Sequence, residues 1–78
     1  MKITYDPDAD ASYIQLVDVI AEGGVSESIH SIMTPKKRGE ILLDFDAEGR
    51  LLGVEILNAR DVLPEEVMQR ASIIGHTS

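Results

Sequence analysis

The sequence predicts a small α+β protein with a mainly antiparallel sheet of about five short strands and one C-terminal α-helix. The strongest indication is a pair of apolar segments, residues 41–45 and 51–57, on either side of a short turn that runs from Asp46 to Gly49. Two strand-length apolar segments around such a turn are typical of a β-hairpin. Shorter segments of alternating polarity precede this hairpin, and a proline with two glutamates follows it.

The length of 78 residues indicates one domain over 1–78, with the sheet within 2–57 and the helix at about 64–73. A domain of this size buries only about 60–65% of the surface that its unfolded chain exposes. Such a chain usually needs tight packing, a crosslink or a partner subunit to be stable. Since the sequence contains no cysteine, a disulfide crosslink is excluded.

The first two predicted strands are joined by an acidic turn. Residues 2–5 alternate between polar and apolar, as a half-buried strand does. The segment 6–10 interrupts this pattern, because proline fixes its own φ and aspartate side chains accept hydrogen bonds from nearby backbone N–H groups. Residues 11–17 resume as the second strand. Tyr5 and Tyr13 are expected to pack on the sheet with their hydroxyl groups in water.

A third, weaker strand is predicted at 25–32, after a reversal at Gly23 and Gly24. Its serines and His30 alternate with Val25, Glu27 and Ile29, which predicts a largely solvated side, as suits an edge strand. The loop that follows, residues 33–39, contains the basic triplet Lys36, Lys37 and Arg38. The triplet is interpreted as a solvated loop, with contact to a phosphate or an acidic partner as the alternative.

The hairpin is predicted to be apolar on both faces. With a regular ladder from the turn onward, Leu43 lies opposite Gly53. Leu42 then lies opposite Val54 on the other face. A small helix can cover one face, and a partner subunit is the simplest cover for the second. The candidate partner-binding residues are Leu42, Leu52, Val54 and Ile56, together with the basic triplet.

The helix is predicted to begin at Pro64, where a proline in the first turn and the two glutamates after it favour a helix start. Val67, Met68 and Ala71 form a short apolar stripe. Residues 73–74 either extend this stripe or form an apolar tail.

The chain is acidic, with a net charge of −7 from 14 acidic and 7 basic residues. Nucleic-acid binding is therefore disfavoured, because affinity for phosphates is built from clustered lysine and arginine. No segment approaches the roughly 18 apolar residues of a membrane span, and the N-terminal residues lack the apolar stretch of a signal peptide. A cytoplasmic location without membrane contact is expected.

Five residues of the hairpin match the spacing of a calcium-binding loop. Asp44, Asp46, Glu48, Gly49 and Glu55 correspond to positions 1, 3, 5, 6 and 12 of that twelve-residue loop. The flanks of a calcium loop should be helices, whereas here they are predicted to be strands. Because Asp44 and Glu55 then lie on separate strands, a structural turn is favoured over cation binding.

A second acidic group, Asp6, Asp8 and Asp10, lies in the first turn. Carboxylates at alternate positions attract a hard cation or act as a general acid and base, but a solvated turn is favoured. His30 and His76 are too few for a typical zinc site. Neither a nucleophile elbow nor a phosphate-binding glycine loop is present. An enzyme is therefore not expected, and no cofactor is predicted.

Two segments resemble a known family: residues 5–16, YDPDADASYIQL, and residues 43–57, LDFDAEGRLLGVEIL. Together they are similar to the small prokaryotic family known as domain of unknown function 2283, over residues 2–60. The resemblance implies an antiparallel sheet of several short strands and no agreed catalytic residues. Because members are sometimes encoded beside small toxin-like proteins, it also implies an antitoxin-like role as one hypothesis. This sequence departs from the family pattern in its longer segment 17–39 and in its C-terminal helix and tail.

The leading hypothesis is a non-enzymatic protein-interaction module that self-associates as a homodimer. Its antitoxin-like form requires a basic partner protein, which suits an acidic chain. The alternatives are a small metal-dependent enzyme that uses the acidic turns, and a nucleic-acid-associated regulator that uses the basic triplet.

Overall fold

The computed structural model describes residues 1–74, which form an α+β fold with a mixed six-stranded sheet and two short α-helices. In chain order the elements are β1 Lys2–Asp6, β2 Ala11–Gln15, β3 Glu27–Met33, a 3-10 turn Pro35–Lys37, β4 Glu40–Phe45, β5 Leu51–Leu57, α1 Ala59–Val62, α2 Glu65–Arg70 and β6 Ser72–Ile73. The strand order is β3-β4-β5-β2-β1-β6, and every neighbouring pair is antiparallel except β1 and β6. The predicted α+β class is confirmed, and β3 lies at one edge as its serines predict.

The C-terminal part differs from the single helix predicted at about 64–73. α2 ends at Arg70, and β6 follows it and pairs in parallel with β1. The backbone N–H of Ile74 also donates to the carbonyl of Tyr5, 2.9 Å away. These bonds satisfy backbone groups on the outer edge of β1, which is why a sixth strand forms there. His76, considered above as a zinc ligand, lies outside the described part of the chain.

The hairpin turn is confirmed as an Asp-to-Gly turn. The N–H of Gly49 donates to the carbonyl of Asp46 at 3.0 Å. Gly49 has a φ of 80°, in the left-handed region that a residue with a β-carbon avoids. The Asp46 side chain accepts from the N–H groups of Glu48 and Arg50, both at 2.9 Å. The turn is therefore held by its own sequence.

A β-bulge follows this turn on β5. Phe45 pairs with Leu51. Asp44, the residue before Phe45, pairs with Gly53, so one residue of β5, Leu52, has no partner of its own on β4. The register therefore shifts by one residue at this point of the hairpin.

The predicted register of the hairpin is wrong because of this bulge. Leu43 pairs with Val54 instead of Gly53. Leu42 pairs with Glu55. A shift of one residue exchanges the two faces of a strand, because side chains alternate along it. The prediction that both faces of the hairpin are apolar is therefore also wrong.

One face of the sheet, the helix-bearing face, is apolar. Because paired residues on antiparallel strands project to the same side, the pairing defines rows of side chains across the sheet. The first row contains Ile29, Leu43, Val54, Ile14 and Ile3. The second row contains Ile32, Ile41, Ile56, Ser12 and Tyr5. The two helices contribute Val62 and Met68, which pack against the buried members of the second row.

The opposite face, the polar face, carries mostly polar side chains. One of its rows contains Leu42, Glu55, Tyr13 and Thr4. Another contains Ser28, Asp44, Gly53, Gln15 and Lys2. The core is therefore built on the helix-bearing face, and it is small. Among residues 1–74, the buried apolar residues are Tyr5, Ile56 and Ala59.

Candidate functional site

Tyr5, Asp10 and Arg60 form a polar cluster between the acidic turn and α1. The hydroxyl of Tyr5 donates to Asp10 Oδ1 at 2.8 Å, and Arg60 Nε donates to the Tyr5 hydroxyl oxygen at 3.0 Å. The Arg60 guanidinium carbon lies 5.7 Å from the centroid of the Tyr5 ring, within range of a cation–π contact. The prediction of a solvated Tyr5 hydroxyl is therefore wrong, because protein groups occupy its hydrogen-bonding positions.

Asp10 also caps α1. Its carbonyl accepts from the N–H of Ala59 at 3.0 Å, and its carboxylate accepts from the N–H of Arg60 at 3.1 Å. Its φ of 51° lies in the left-handed region, which aspartate tolerates better than most residues. The first N–H groups of a helix have no partner within the helix, so Asp10 supplies acceptors that α1 needs.

A cleft lies beside this cluster and is lined by Arg60, Leu63 and Met68. Glu65 of α2 also lines it. The cleft therefore combines apolar walls with charges of both signs, and its guanidinium is already engaged with Tyr5.

On the polar face, Tyr13 reaches across β5 to Asp44. Its hydroxyl donates to Asp44 Oδ2 at 2.9 Å, and the Ser28 hydroxyl donates to Oδ1 at 2.7 Å. The phenol lies over Gly53, where any β-carbon would overlap it. Burial and the Asp44 carboxylate together raise the pKa of Tyr13 to about 12. The predicted solvated hydroxyl is wrong here too, and the Asp44 carboxylate links three strands.

At the hairpin turn, Asp46 Oδ2 accepts from Arg50 Nε at 2.9 Å. The Arg50 guanidinium also contacts Glu48, with 2.6 Å between Nη2 and Oε1. Hydrogen bonding, first from the Arg50 backbone N–H, holds the pKa of Asp46 below its ordinary value. Two positions of the calcium-loop pattern are therefore occupied by contacts within the turn.

The carboxylates predicted as weak cation ligands do not converge. Asp6 accepts from the N–H of Asp8 at 2.9 Å, which confirms the predicted turn chemistry. Asp44 and Glu55 lie in different rows of the polar face. Within residues 1–74, no group of three acidic or histidine side chains is arranged to hold a metal ion. The six candidates are Asp6, Asp8, Asp10, Asp44, Asp46 and Glu55.

The five strands β1 to β5, and the hydrogen-bonded groups around Tyr5 and Tyr13, lie within residues 2–60. This segment matches the family described as protein of unknown function DUF2283. The chain belongs to this family. The matched segment ends at Arg60, so α2 and β6 lie outside it. No curated protein and no solved structure matches the chain. In the described part of this DUF2283 member, no helix is long and apolar enough to cross a bilayer.

The structure divides the predicted partner-binding residues between several environments. Ile56 is only 2% exposed and belongs to the core. Leu42 lies on the polar face, whereas Val54 is half-buried in the first row of the helix-bearing face. Leu52 lies at the bulge. These four residues are therefore not brought together as one surface.

A different set of apolar side chains is exposed on the helix-bearing face. They are Ile29, Ile32, Leu51 and Leu16, with exposed fractions of 45%, 37%, 37% and 36%. We call these four residues the open apolar surface. Leu16 is held beside β5 by its N–H, which donates to the carbonyl of Leu52 at 2.9 Å. Ile29, Leu51 and Leu16 lie outside the second row, over which the helices pack, whereas Ile32 lies at the β3 end of that row.

The basic triplet lies in the turn between β3 and β4. The N–H of Lys37 donates to the carbonyl of Thr34 at 3.0 Å, and Lys36 and Lys37 have positive φ values of 62° and 53°. A left-handed residue with a β-carbon costs about 1–2 kcal/mol, so glycine or asparagine would suit this turn better. All three cations are exposed. Within residues 1–74, the ion pairs closer than 4.0 Å are those of Arg50, so the triplet has none.

Proposed function

We propose that this chain is a non-enzymatic protein-interaction module that binds through the open apolar surface. The observation that carries the proposal is the exposure of these four large side chains in a fold with so small a core. Half-buried apolar residues of the first row, Leu43, Val54 and Ile14, lie between them on the same face. Exposed apolar patches commonly mark protein–protein contacts, because their burial removes apolar area from water.

The acidic residues support a non-enzymatic function. The carboxylates of Asp10, Asp44 and Asp46 each accept two or more hydrogen bonds from the fold itself. These bonds give each carboxylate a structural role, in the cap of α1, the polar face of the sheet or the hairpin turn. The net charge of −7 also favours a partner with positive charge, which is the antitoxin-like form of the proposal.

The proposal is tested by capturing proteins from a lysate of the source organism on three immobilised chains. These are the wild type, an Ile29→Glu/Leu51→Glu variant of the open apolar surface, and a Thr4→Glu/Gln15→Glu control on the polar face. The two variants add the same charge. We expect a protein, including the chain itself, to bind the wild type and the control but not the Ile29→Glu/Leu51→Glu variant. Equal capture by all three chains would refute the proposal.

A further inference from the structure

We propose that a second copy of this chain covers the open apolar surface, packed face to face with its strands antiparallel to those of the first copy. The inference rests on the proposed interaction function and adds the identity and orientation of the partner. Three features of the structure support it: the shape of the helix-bearing face, the charges at the ends of β3 and β4, and the irregular edge of the sheet.

The helix-bearing face has a raised part and an open part. α1 and α2 pack over the second row, whereas Ile29 and Leu51 lie exposed nearer the hairpin turn. A half-turn about an axis in the plane of the face, perpendicular to the strands, places the raised part of each copy against the open part of the other. In this arrangement the helices of each copy lie between the two sheets and pack on the open part of the other copy, as helices pack on a sheet in a layered α+β fold.

The two ends of β3 and β4 carry opposite charge. The basic triplet lies at one end, between β3 and β4. Glu27 begins β3 at the other end, next to the turn that contains Asp46 and Glu48. Arg50 offsets one of the three carboxylates at the acidic end, and Glu40 and Asp61 offset two of the three cations at the basic end, so each end keeps a net excess of its own sign.

Only the antiparallel arrangement brings these ends together favourably. A strand of this length spans about 20 Å, which exceeds the Debye length of about 8 Å at physiological ionic strength. The two ends therefore act as separate charged patches. Antiparallel packing places each basic triplet near the acidic end of the second copy, whereas parallel packing about an axis along β3 and β4 would bring like charges together. The arrangement also gives a role to two lysines whose backbone conformation favours glycine.

Edge-to-edge pairing through β3 is less favourable. The strand has a register shift between Ile29 and Ile32, and Ser31 within it has a φ of 63°. Such irregularities disrupt the ladder that a second edge strand would extend. A standard interface buries about 800 Å² per partner, roughly one seventh of the 5466 Å² of surface on this chain. The open part of the helix-bearing face has an area of the order that such an interface requires.

The orientation is tested by exchanging charges and measuring the dimer dissociation constant by sedimentation equilibrium. Lys37→Glu and Glu27→Lys should each weaken the dimer about tenfold, because a two-fold interface contains every contact twice. The two substitutions together in one chain should restore wild-type affinity. Lys2→Glu, which makes the same charge change as Lys37→Glu on the polar face, should leave the dimer unchanged. Thermal melts of each variant establish that it is folded.

A second comparison distinguishes face-to-face from edge-to-edge packing. Leu16 directly follows β2, which lies three strands away from the β3 edge. Leu16→Glu should therefore weaken a face-to-face dimer and leave an edge-to-edge dimer intact. Thr4→Glu on the polar face is its control.

Several outcomes would overturn the inference. They are a monomeric wild type at about 100 μM, single charge variants that dimerise normally, a combined variant that stays weakened, and a Leu16→Glu variant that dimerises normally. If the wild type is monomeric but the open apolar surface still captures another protein, the proposed function stands and only this inference fails. If substitutions in that surface change neither kind of binding, both fail.

Discussion

Gly53 determines an interaction between two strands that are not neighbours. β5 lies between β2 and β4, so the Tyr13 side chain must cross it to reach Asp44. It can cross only because Gly53, at the crossing point, has no side chain. The glycine is therefore required by the close approach of a phenol, although its position in the sequence suggests a simple interruption of an apolar segment.

We expect Gly53→Ala to destabilise the fold by about 1–3 kcal/mol, because the new methyl group displaces the phenol and breaks its hydrogen bond. Urea unfolding measures the change. In a Tyr13→Ala background the same substitution should cost little, since the ring it would displace is absent. An equal cost in both backgrounds would show that the phenol is not the cause.

The pKa of Tyr13 predicts a loss of stability at high pH. An unfolded tyrosine ionises near 10.0, whereas the folded chain keeps the Tyr13 proton until about 12. Between these values the unfolded state binds fewer protons, so the free energy of unfolding falls as pH rises. The stabilisation that Tyr13 provides through its raised pKa is therefore fully present below pH 10 and is lost as the pH rises towards 12. Urea unfolding of Tyr13→Phe across the same range should show a shallower decline, and an identical decline would contradict the assignment.

At the scale of elements, the strands can be predicted from local sequence, whereas their register and the face on which each side chain lies cannot. Alternation and turn residues predict β1 to β5 closely, and the Asp46 turn is confirmed in detail. The bulge at Leu52 is not visible in the apolar pattern, because a leucine pair suits either register. For the same reason the pattern places Leu42 with the wrong face. Ile29 is missed because the serines of β3 predict a solvated edge.

The position of α1 also cannot be predicted from local sequence. Its four residues contain no capping signal, and Asn58 before them makes no capping bond with its side chain. The acceptors for its first N–H groups come from Asp10, which is about 50 residues away in the sequence. A helix this short does not form alone, because its few hydrogen bonds do not offset the cost of nucleation. Its position follows from tertiary structure, and the sequence offers no signal for it.

Asp10 is therefore expected to stabilise the fold through α1. Replacing it with alanine removes the acceptor for the Tyr5 hydroxyl and the Arg60 N–H, which should cost about 1–3 kcal/mol. Asp10→Asn should cost less, because asparagine keeps a carbonyl oxygen and tolerates the left-handed conformation. Thermal unfolding compares the two variants. Equal losses would indicate that the charge, rather than the acceptor, is what α1 requires.

For the molecule as a whole, a small core is combined with strong net charge. Few apolar side chains are buried, and a net charge of −7 makes the compact chain repel itself. The sequence predicts an uncovered apolar face but places the wrong residues on it; in the structure the exposed residues Ile29, Ile32, Leu51 and Leu16 lie on the side that carries the helices. A second copy packed on this face would increase the buried apolar area, and the antiparallel orientation, which pairs opposite charges, would limit the repulsion between two acidic chains.

Two isoleucines allow this dimer to be tested through stability. Ile56 is buried in each copy, so Ile56→Ala should cost about 2–5 kcal/mol at every protein concentration. Ile29 is 45% exposed in the single chain, so Ile29→Ala should cost no more than about 0.5 kcal/mol in dilute solution. At higher concentration its cost should grow, because association stabilises only chains that keep the interface. Thermal midpoints from about 1 to about 100 μM measure this difference, since association by the folded chain raises the midpoint with concentration. A wild-type midpoint that does not change with concentration, together with a constant small cost for Ile29→Ala, would mean that the chain is stable alone and that its open apolar surface serves a different protein.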